Sequence, residues 1–221
     1  MTLKAVAFDV DGTLYPNASM LWRSLPLAVA NSHLLRALEK ARIELHDHPE
    51  HLPDVHETQA VIVARILGIS VESARARIEA VVYTRWYQTF HALKPYAGLL
   101  PLLRRLKDSG YKLAVMSDFS IRGRLEALGL DGWWDLSFSS EEVGWLKPHA
   151  QPFLHIADTF GLPPGQVLYV GNSVTYDVRG AHAAGMPCAH LGRRSSKATT
   201  AAITFRNYRE LDAFLFDRSS T

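Results

Sequence analysis

The sequence predicts an α/β fold: a Rossmann-like parallel sheet core with helices on both faces, plus an inserted all-helical cap domain. Three observations support this prediction. Short, almost unbroken apolar runs end in polar residues, as strands covered on both faces do. From residue 96 onward these runs alternate with helical patterns, which is typical of a parallel sheet. Residues 17 to 94 hold helical patterns and no convincing strand.

Five segments are predicted to be strands. They span residues 3–8, 111–116, 134–138, 167–170 and 188–191, and the run at 134–138 is the weakest. Polar residues or glycine follow each run. Asp9 comes after the first, Ser117 after the second and Gly171-Asn172 after the fourth. Because ligands bind at the carboxyl ends of strands in open parallel sheets, these positions are candidates for a functional site.

Four helices are predicted in the core from apolar residues at helical spacing and from their start and stop signals. The first has Leu99, Leu102, Leu103 and Leu106 on one face and ends before Gly110. The second has Ile121, Leu125 and Leu128, with Ser120 as N-cap. The third runs from Phe153 to a stop at Gly161. The fourth begins at Asn207, and Glu210 completes a capping box.

The strandless stretch interrupts the α/β pattern directly after its first strand. Residues 21–45 and 55–90 are predicted to be helical, with breaks near Pro49, Pro53 and Gly68. We therefore expect a core domain made of residues 1–16 and 95–221 and an inserted helical cap of residues 17–94. The hinges would lie near Tyr15-Pro16 and Lys94-Pro95, since the residue before a proline is restricted to extended geometry.

Composition limits the classes of function. The formal net charge is only +2, so nothing predicts binding to nucleic acid or to a membrane. No window approaches the ~18 apolar residues of a membrane span, and the N-terminal run does not have the form of a signal peptide. The single cysteine, Cys188, excludes a disulfide framework within the chain. We expect a cytoplasmic protein.

The segment after the first strand carries the strongest chemical signal. It reads Asp9-Val10-Asp11-Gly12-Thr13. Residues two apart on an extended chain face the same way, so the two carboxylates would point at one spot. Such a pair suits a metal site, or a nucleophile with an adjacent acid. Gly12 permits a tight turn. The alternative is an Asp-Gly turn followed by a helix cap at Thr13.

The sequence resembles the haloacid dehalogenase-like hydrolase superfamily at four motifs in the family's order. Residues 9–14 match the first motif, Asp-x-Asp-Gly-Thr-Leu. Ser117 matches the second and Lys147-Pro148 the third. Gly171-Asn172-Ser173 through Asp177 is similar to the fourth, which is normally Gly-Asp-x-x-x-x-Asp. The resemblance covers the whole chain, with the helical insertion as a cap between motifs one and two.

The resemblance implies a Mg²⁺-dependent phosphatase acting on a small phosphorylated metabolite. Asp9 would be the nucleophile that forms an aspartyl phosphate, and Asp11 would be the general acid and base. Ser117 and Lys147 would contact the phosphoryl group. The implied substrate-binding set is Gly12, Thr13, Ser117, Asp118 and Lys147, and the implied metal set is Asp9, Asp11, Asn172 and Asp177.

Two positions depart from the family's pattern. Asn172 stands where an aspartate is usual, so we expect weaker Mg²⁺ binding than a fully acidic site gives. Asp118 stands where asparagine is common, and it either orients its loop or adds charge near the site. Asp177 has an alternative explanation as the N-cap of the helix that runs to Ala184.

Three other interpretations remain open from the sequence. A 2-haloacid dehalogenase would keep Asp9 as nucleophile, but that chemistry has no need of Asp11. A phosphomutase is less favoured, because nothing in the cap signals sugar reorientation. A decayed binding module would explain Asn172 but not the other retained motif residues. The sequence leaves the natural substrate and the oligomeric state open.

Two groups of side chains in the insertion are given structural roles. The histidines between residues 46 and 56 have no spacing that suits zinc, so we expect them in a solvated loop. Trp22, Trp86 and Tyr87 are expected to pack in the cap core, with a position facing the substrate as the alternative.

Overall fold

The computed structural model describes residues 2–121, 123–193 and 200–217. Its strands form one parallel sheet in the order β3-β2-β1-β4-β5-β6. The strands are β1 (Ala5–Asp9), β2 (Lys112–Ser117), β3 (Leu136–Ser139), β4 (Val167–Gly171), β5 (Cys188–Leu191) and β6 (Ile203–Phe205). The prediction of a parallel α/β sheet is confirmed, including its weakest strand.

The helices of the described residues cover both faces of the sheet and form the insertion. They are α1 (Asn17–Ala30), α2 (Ser32–His46), α3 (Val55–Leu67), α4 (Val71–Ile78), α5 (Leu99–Asp108), α6 (Arg124–Ala127), α7 (Ala150–Phe160), α8 (Arg179–Ala183) and α9 (Tyr208–Phe216). Glu79–Trp86 continues α4 as a π-helix, and Val174–Val178 leads into α8 in the same way. Ser140–Val143, Thr89–Ala92 and Pro164–Gln166 are 3₁₀ turns.

Side chains of β1 point alternately to the two faces of the sheet, so this one strand contributes to the apolar cluster on each face. Val6 and Phe8 point to the face covered by the leucines of α5. Ala5 and Ala7 point to the opposite face, where they belong to the same apolar cluster as Phe153 of α7. All four β1 side chains are fully buried. This two-sided burial requires the unbroken apolar run seen in the sequence.

Two sequence predictions about elements were wrong. Strand β6 was missed because it has only three residues and pairs with β5 alone. The helix predicted from Ser120 starts later, because Gly123 precedes α6 in a left-handed conformation with φ of 71°. The predicted cap at Asn207 is confirmed, since its side chain accepts hydrogen bonds from the amides of Arg209 and Glu210.

Residues 17–94, all of which the structure describes, hold helices and no strand. They carry their own apolar cluster, which runs from Leu34 to Val82 and includes Leu146 from outside the insertion. The first predicted helix is divided in two, because Asn31 leaves helical geometry at φ −124°. Gly68 ends α3 as predicted. The domain boundaries themselves stay a prediction.

None of the described helices combines the length and the apolar character that crossing a bilayer requires.

Candidate active site

The carboxyl ends of the strands meet around one cavity of about 380 Å³. Its floor is formed by residues of the sheet edge: Asp9, Asp11, Asp118, Lys147, Asn172, Ser173 and Asp177. The insertion contributes the opposite wall through Asn17, Met20, Arg42, His46 and Trp86, and Phe119 and Tyr176 complete it. Segments far apart in the chain are therefore brought to one edge of the sheet.

Lys147 lies between two carboxylates. Its Nζ donates to Asp9 Oδ1 at 2.7 Å and to Asp177 Oδ1 at 2.8 Å. The residue is only 4% exposed. Burial alone would lower the pKa of Lys147, but Asp177 and Asp9 outweigh burial and hold that pKa well above its usual value. Lys147 is therefore an ammonium ion that compensates part of the buried negative charge.

Asp9 is fixed at both carboxylate oxygens. Oδ2 accepts a hydrogen bond from the buried Thr13 hydroxyl at 2.8 Å, and Oδ1 is held by Lys147. Burial raises the pKa of Asp9 to about 7; Lys147 opposes this rise, and Asp177 and Asp11 add to it. Asp9 is thus a positioned carboxylate whose ionised form needs more positive charge than Lys147 supplies.

Asp11 is turned towards a group that sequence reasoning missed. Its Oδ1 accepts from Arg124 Nη2 and from the Tyr15 hydroxyl, and its Oδ2 accepts from Ser117 Oγ at 3.0 Å. Arg124 is 1% exposed and also donates to Ser117 Oγ at 3.2 Å. Burial would raise the pKa of Asp11, but Arg124, Tyr15 and Ser117 lower it on balance. In this conformation Asp11 is a carboxylate.

Asp177 organises the loop after β4. Its Oδ2 accepts from the amides of Asn172 and Ser173 at 3.1 and 2.9 Å, while Oδ1 accepts from Lys147. The helical turn that follows is capped by Ser173, whose Oγ accepts from the Tyr176 amide. Asp177 therefore does not act as the N-cap.

The first motif and the β4 loop are in direct contact. Gly12 has φ of 81°, and a Cβ there would overlap the side-chain amides of Asn172 and Asn17. Asn172 thus lies against the turn that carries Asp11. Asp9, Asp11 and Asn172 all line the cavity, and carboxylate and amide oxygens are donors of the kind that Mg²⁺ prefers. The described residues contain no cluster of three or more His, Cys, Asp or Glu side chains suited to a metal.

Asp118 supports the site through the backbone. Its Oδ1 accepts from Ser140 Oγ at 2.6 Å and from the Lys147 amide at 3.1 Å. Burial would raise the pKa of Asp118, but Lys147 and Arg42 lower it on balance. The side chain both lines the cavity and holds the segment that carries Lys147.

Arg42 and Arg124 were not found from the sequence, although a signal was present. Arg124 occupies the i+3 position of the apolar stripe Ile121, Leu125 and Leu128. Arg42 follows Ala41 on the buried face of α2, three residues before Leu45. A charged residue within an apolar helical stripe indicates a buried partner, because an unpaired buried charge is strongly unfavourable.

The histidine stretch is divided between two environments. His51 and His56 are exposed as expected, but His46 lies in the cavity wall. Its Nδ1 faces the Lys147 carbonyl, and its ring stacks on Tyr176 with centroids 4.3 Å apart. Burial lowers the pKa of His46, so the ring is neutral.

Three aromatic residues of the insertion, Trp22, Trp86 and Tyr87, were expected to pack together in the cap core, and the structure places them in different surroundings. Trp22 is 75% exposed. Trp86 lines the cavity, and its indole N–H donates to Met20 Sδ at 3.0 Å. Trp86 also packs against the apolar cluster of the insertion, as expected. Tyr87 packs against the cluster on the sheet instead, and its hydroxyl donates to the Ser120 carbonyl.

A model of the haloacid dehalogenase-like hydrolase family matches residues 3–185. The chain belongs to this family. The match includes all four sequence motifs and the helical insertion, in agreement with the resemblance stated above.

Relatives with curated names match over most of their length. A glyceraldehyde 3-phosphate phosphatase of Methanopyrus kandleri is 30% identical, with 86% of this chain and 84% of the relative covered. A phosphoglycolate phosphatase of Haemophilus influenzae is 28% identical over the same shares. Among solved structures, a 2-haloacid dehalogenase from Pseudomonas syringae pv. Tomato superposes with a TM-score of 0.72 at 20% identity, covering 99% of this chain and all of that chain. At that identity the likeness shows the fold alone.

The buried charge of Asp9 predicts a stability effect in the metal-free protein. A carboxyl with a raised folded-state pKa stabilises the fold at low pH, and this contribution is lost as pH rises from about 4 to about 7. In a chelator at pH 8, Asp9→Asn should raise the free energy of unfolding by on the order of 1–2 kcal/mol. Urea unfolding at pH 8 and pH 5 measures the difference.

The gain should shrink at pH 5, where Asp9 is protonated in the folded protein. Asp131→Asn, at an exposed position, is the matched control and should change neither value. An Asp9→Asn protein that is less stable than wild type at pH 8, or equally altered at both pH values, would contradict the assignment.

Proposed function

We propose that the chain is a Mg²⁺-dependent phosphatase that hydrolyses a small phosphate monoester through an aspartyl phosphate on Asp9. The observation that carries the proposal is Asp11. It is a second carboxylate two residues from the nucleophile, supported by hydrogen bonds from Arg124, Tyr15 and Ser117. Phosphoryl transfer uses such an acid at the leaving oxygen, whereas halide displacement does not need one.

The residues around Asp9 match the requirements of phosphoryl transfer. Asp9 attacks phosphorus, so a P–O bond to its carboxylate forms as the bond to the leaving oxygen breaks. The equatorial oxygens gain charge, and Lys147 lies where it compensates that charge. Thr13 holds the second oxygen of Asp9 and so fixes the direction of attack. Water then attacks phosphorus, which returns Asp9 as a free carboxylate.

Asp11 would change its protonation state during the cycle. It gives a proton to the leaving alcohol in the first step and accepts one from water in the second. The ion pair with Arg124 favours the ionised form, which is the base of the second step. To act first as an acid, Asp11 has to be protonated and to turn from Arg124 towards the cavity. Arg124 is thus a positioning residue for the base form.

The residues present fit a magnesium ion, since Asp9, Asp11 and Asn172 carry hard oxygen donors and all line the floor of the cavity. Asp177, the fourth residue of the predicted metal set, has its oxygens on Lys147 and on the amides of the β4 loop. We propose that it supports the metal ligands by fixing the loop of Asn172 and by holding Lys147. When bound, the ion would supply the positive charge that allows the Asp9 carboxylate and a phosphate to approach each other.

The helical insertion would act as a cap over this site. We propose that residues 17–94 form a separate domain, that the core is residues 1–16 and 95–221, and that closure excludes water from the aspartyl phosphate until hydrolysis. Arg42 is one link between the two, because it donates to Glu141 at 2.5 Å and to the Asp118 carbonyl. We place the enzyme in the cytoplasm.

Release of phosphate from p-nitrophenyl phosphate tests the proposal. Wild-type protein should turn over with Mg²⁺ and lose activity in chelator. Asp9→Asn should lower kcat at least about 1,000-fold, because no covalent intermediate forms without the nucleophile. Asp11→Asn should lower kcat about 100-fold or more through loss of the acid.

Asp131→Asn is again the control and should keep full activity. Halide release from 2-chloropropionate without metal, in place of phosphate release, would indicate the dehalogenase instead. Absence of both reactions in correctly folded protein would indicate a binding module.

The amide at position 172 predicts a specific metal dependence. Asn172→Asp replaces a neutral oxygen donor by a carboxylate, so the Mg²⁺ concentration for half-maximal activity should fall about tenfold. A titration of initial rate against Mg²⁺ measures it. An unchanged midpoint would mean that residue 172 does not contact the metal.

A further inference from the structure

A second cavity adjoins the catalytic one and lies against the helices of the insertion. Its volume is about 490 Å³. The wall is mostly apolar and comes from α1, α2 and the π-helix after α4, with Leu27, Leu38, Val82 and Trp86 among its side chains. We call it the apolar cavity. Its size lies within the range of small-molecule sites.

The apolar cavity shares part of its lining with the catalytic cavity. The side chains that line both are Arg42, His46, Trp86, Phe119 and Tyr176. A phosphate beside Asp9 and a group in the apolar cavity can therefore belong to one molecule that passes these shared residues.

The shared boundary offers little free charge to that molecule. The Arg42 guanidinium is paired with Glu141 at 2.5 Å and lies 4.2 Å from the centroid of the Phe119 ring. Burial keeps the pKa of His46 below its usual value, so its ring is neutral. Glu39 also lines the apolar cavity, but it is exposed. The surroundings thus favour an apolar group over a charged or polyhydroxylated one.

Ser24 supplies a separate indication of a ligand. It is the one buried residue of α1, and its Oγ has no hydrogen-bond partner among the described residues. Ser24 lines the apolar cavity and is 9% exposed. A buried hydroxyl without a partner is unfavourable. Its oxygen is closed to solvent in this conformation, so a polar atom on a bound molecule would satisfy it once the Ser24 side chain turns towards the cavity.

We propose that the apolar cavity binds the leaving group of the substrate, and that the preferred substrates are phosphate monoesters of apolar alcohols, aliphatic or aromatic, with at most one further polar group. The proposal rests on the proposed phosphatase function and specifies its substrate class. Burying the hydroxyls of a sugar phosphate among leucine and valine side chains would leave them unpaired. The same apolar surface gains favourable burial with each methylene group of an alkyl chain.

A series of n-alkyl phosphates from ethyl to hexyl measures the effect on the Mg²⁺-loaded enzyme. kcat/KM should rise about threefold per methylene. Glycerol phosphate should be at least about tenfold poorer than propyl phosphate, which has the same carbon chain without the two hydroxyls. If the alkyl esters are hydrolysed at rates independent of chain length, the inference is wrong and the phosphatase function stands.

Binding of n-alkyl phosphonates, which are not hydrolysed, tests the role of the apolar cavity independently of the phosphatase function. Hexylphosphonate should raise the Tm of the enzyme more than methylphosphonate does at equal concentration. Equal shifts would overturn the inference even if no ester is hydrolysed. A chain-length effect on Tm without any hydrolysis would retain the cavity assignment and refute the phosphatase function.

Two variants on α1 test whether the dependence on alkyl chain length arises in the apolar cavity. Ala28 lines the apolar cavity, and Ala28→Phe should fill part of it and flatten both chain-length series. Ala30 lies two residues on in the same helix, is exposed and does not line the apolar cavity. Ala30→Phe should leave both series unchanged. Equal slopes in wild type and Ala28→Phe would place chain binding elsewhere and overturn the proposal.

Discussion

Compensation of buried negative charge is the constraint on which the site depends. Asp9, Asp11 and Asp177 converge at the sheet edge, where Asp9 and Asp177 are buried and Asp11 is partly exposed. Lys147 holds Asp9 and Asp177 together, while Arg124 pairs with Asp11. Each carboxylate thus has a buried cation, yet burial still raises the pKa of Asp9 to about 7. Negative charge at the site therefore still exceeds positive charge, and a divalent cation or a protonated neighbour would compensate the excess. This excess destabilises the metal-free site and favours binding of a cation.

Strand ends, one glycine turn and one hydrogen-bonded loop position these charged side chains. Parallel strands bring Asp9 and Ser117 to one edge because each residue ends its strand, and the register of β1 with β2 pairs Asp9 with Met116, the residue before Ser117. Gly12 allows the first motif to turn against Asn172. Asp177 fixes the β4 loop by accepting two backbone amides. The site is therefore supported by the sheet and by hydrogen bonds within its loops, as preorganised electrostatic stabilisation requires.

The sheet and the motif residues were predictable from the sequence, whereas the cation partners and the cavity wall were not. An apolar run such as residues 5–8 directly predicts a strand that is buried on both faces of the sheet, because a polar side chain at any of these positions would lack a partner. The positions of Arg124 and Arg42 in apolar stripes indicate buried partners, but the identity of those partners, 113 and 99 residues away in the chain, follows only from the folded structure. Strand β6 was missed for a related reason: its three residues depend on pairing with β5. His46 looked like part of a solvated loop, but the end of α2 carries it into the cavity.

Trapping the covalent intermediate tests the central claim most directly. The Mg²⁺-loaded enzyme would be mixed with p-nitrophenyl phosphate, quenched within one turnover and reduced with borohydride, which converts an aspartyl phosphate to homoserine. Peptide mass spectrometry should find homoserine at position 9 in wild type, and none when Mg²⁺ is chelated. A burst of nitrophenol with unmodified Asp9, or with the modification at another carboxylate, would contradict the role given to Asp9 and the charge arrangement built around it.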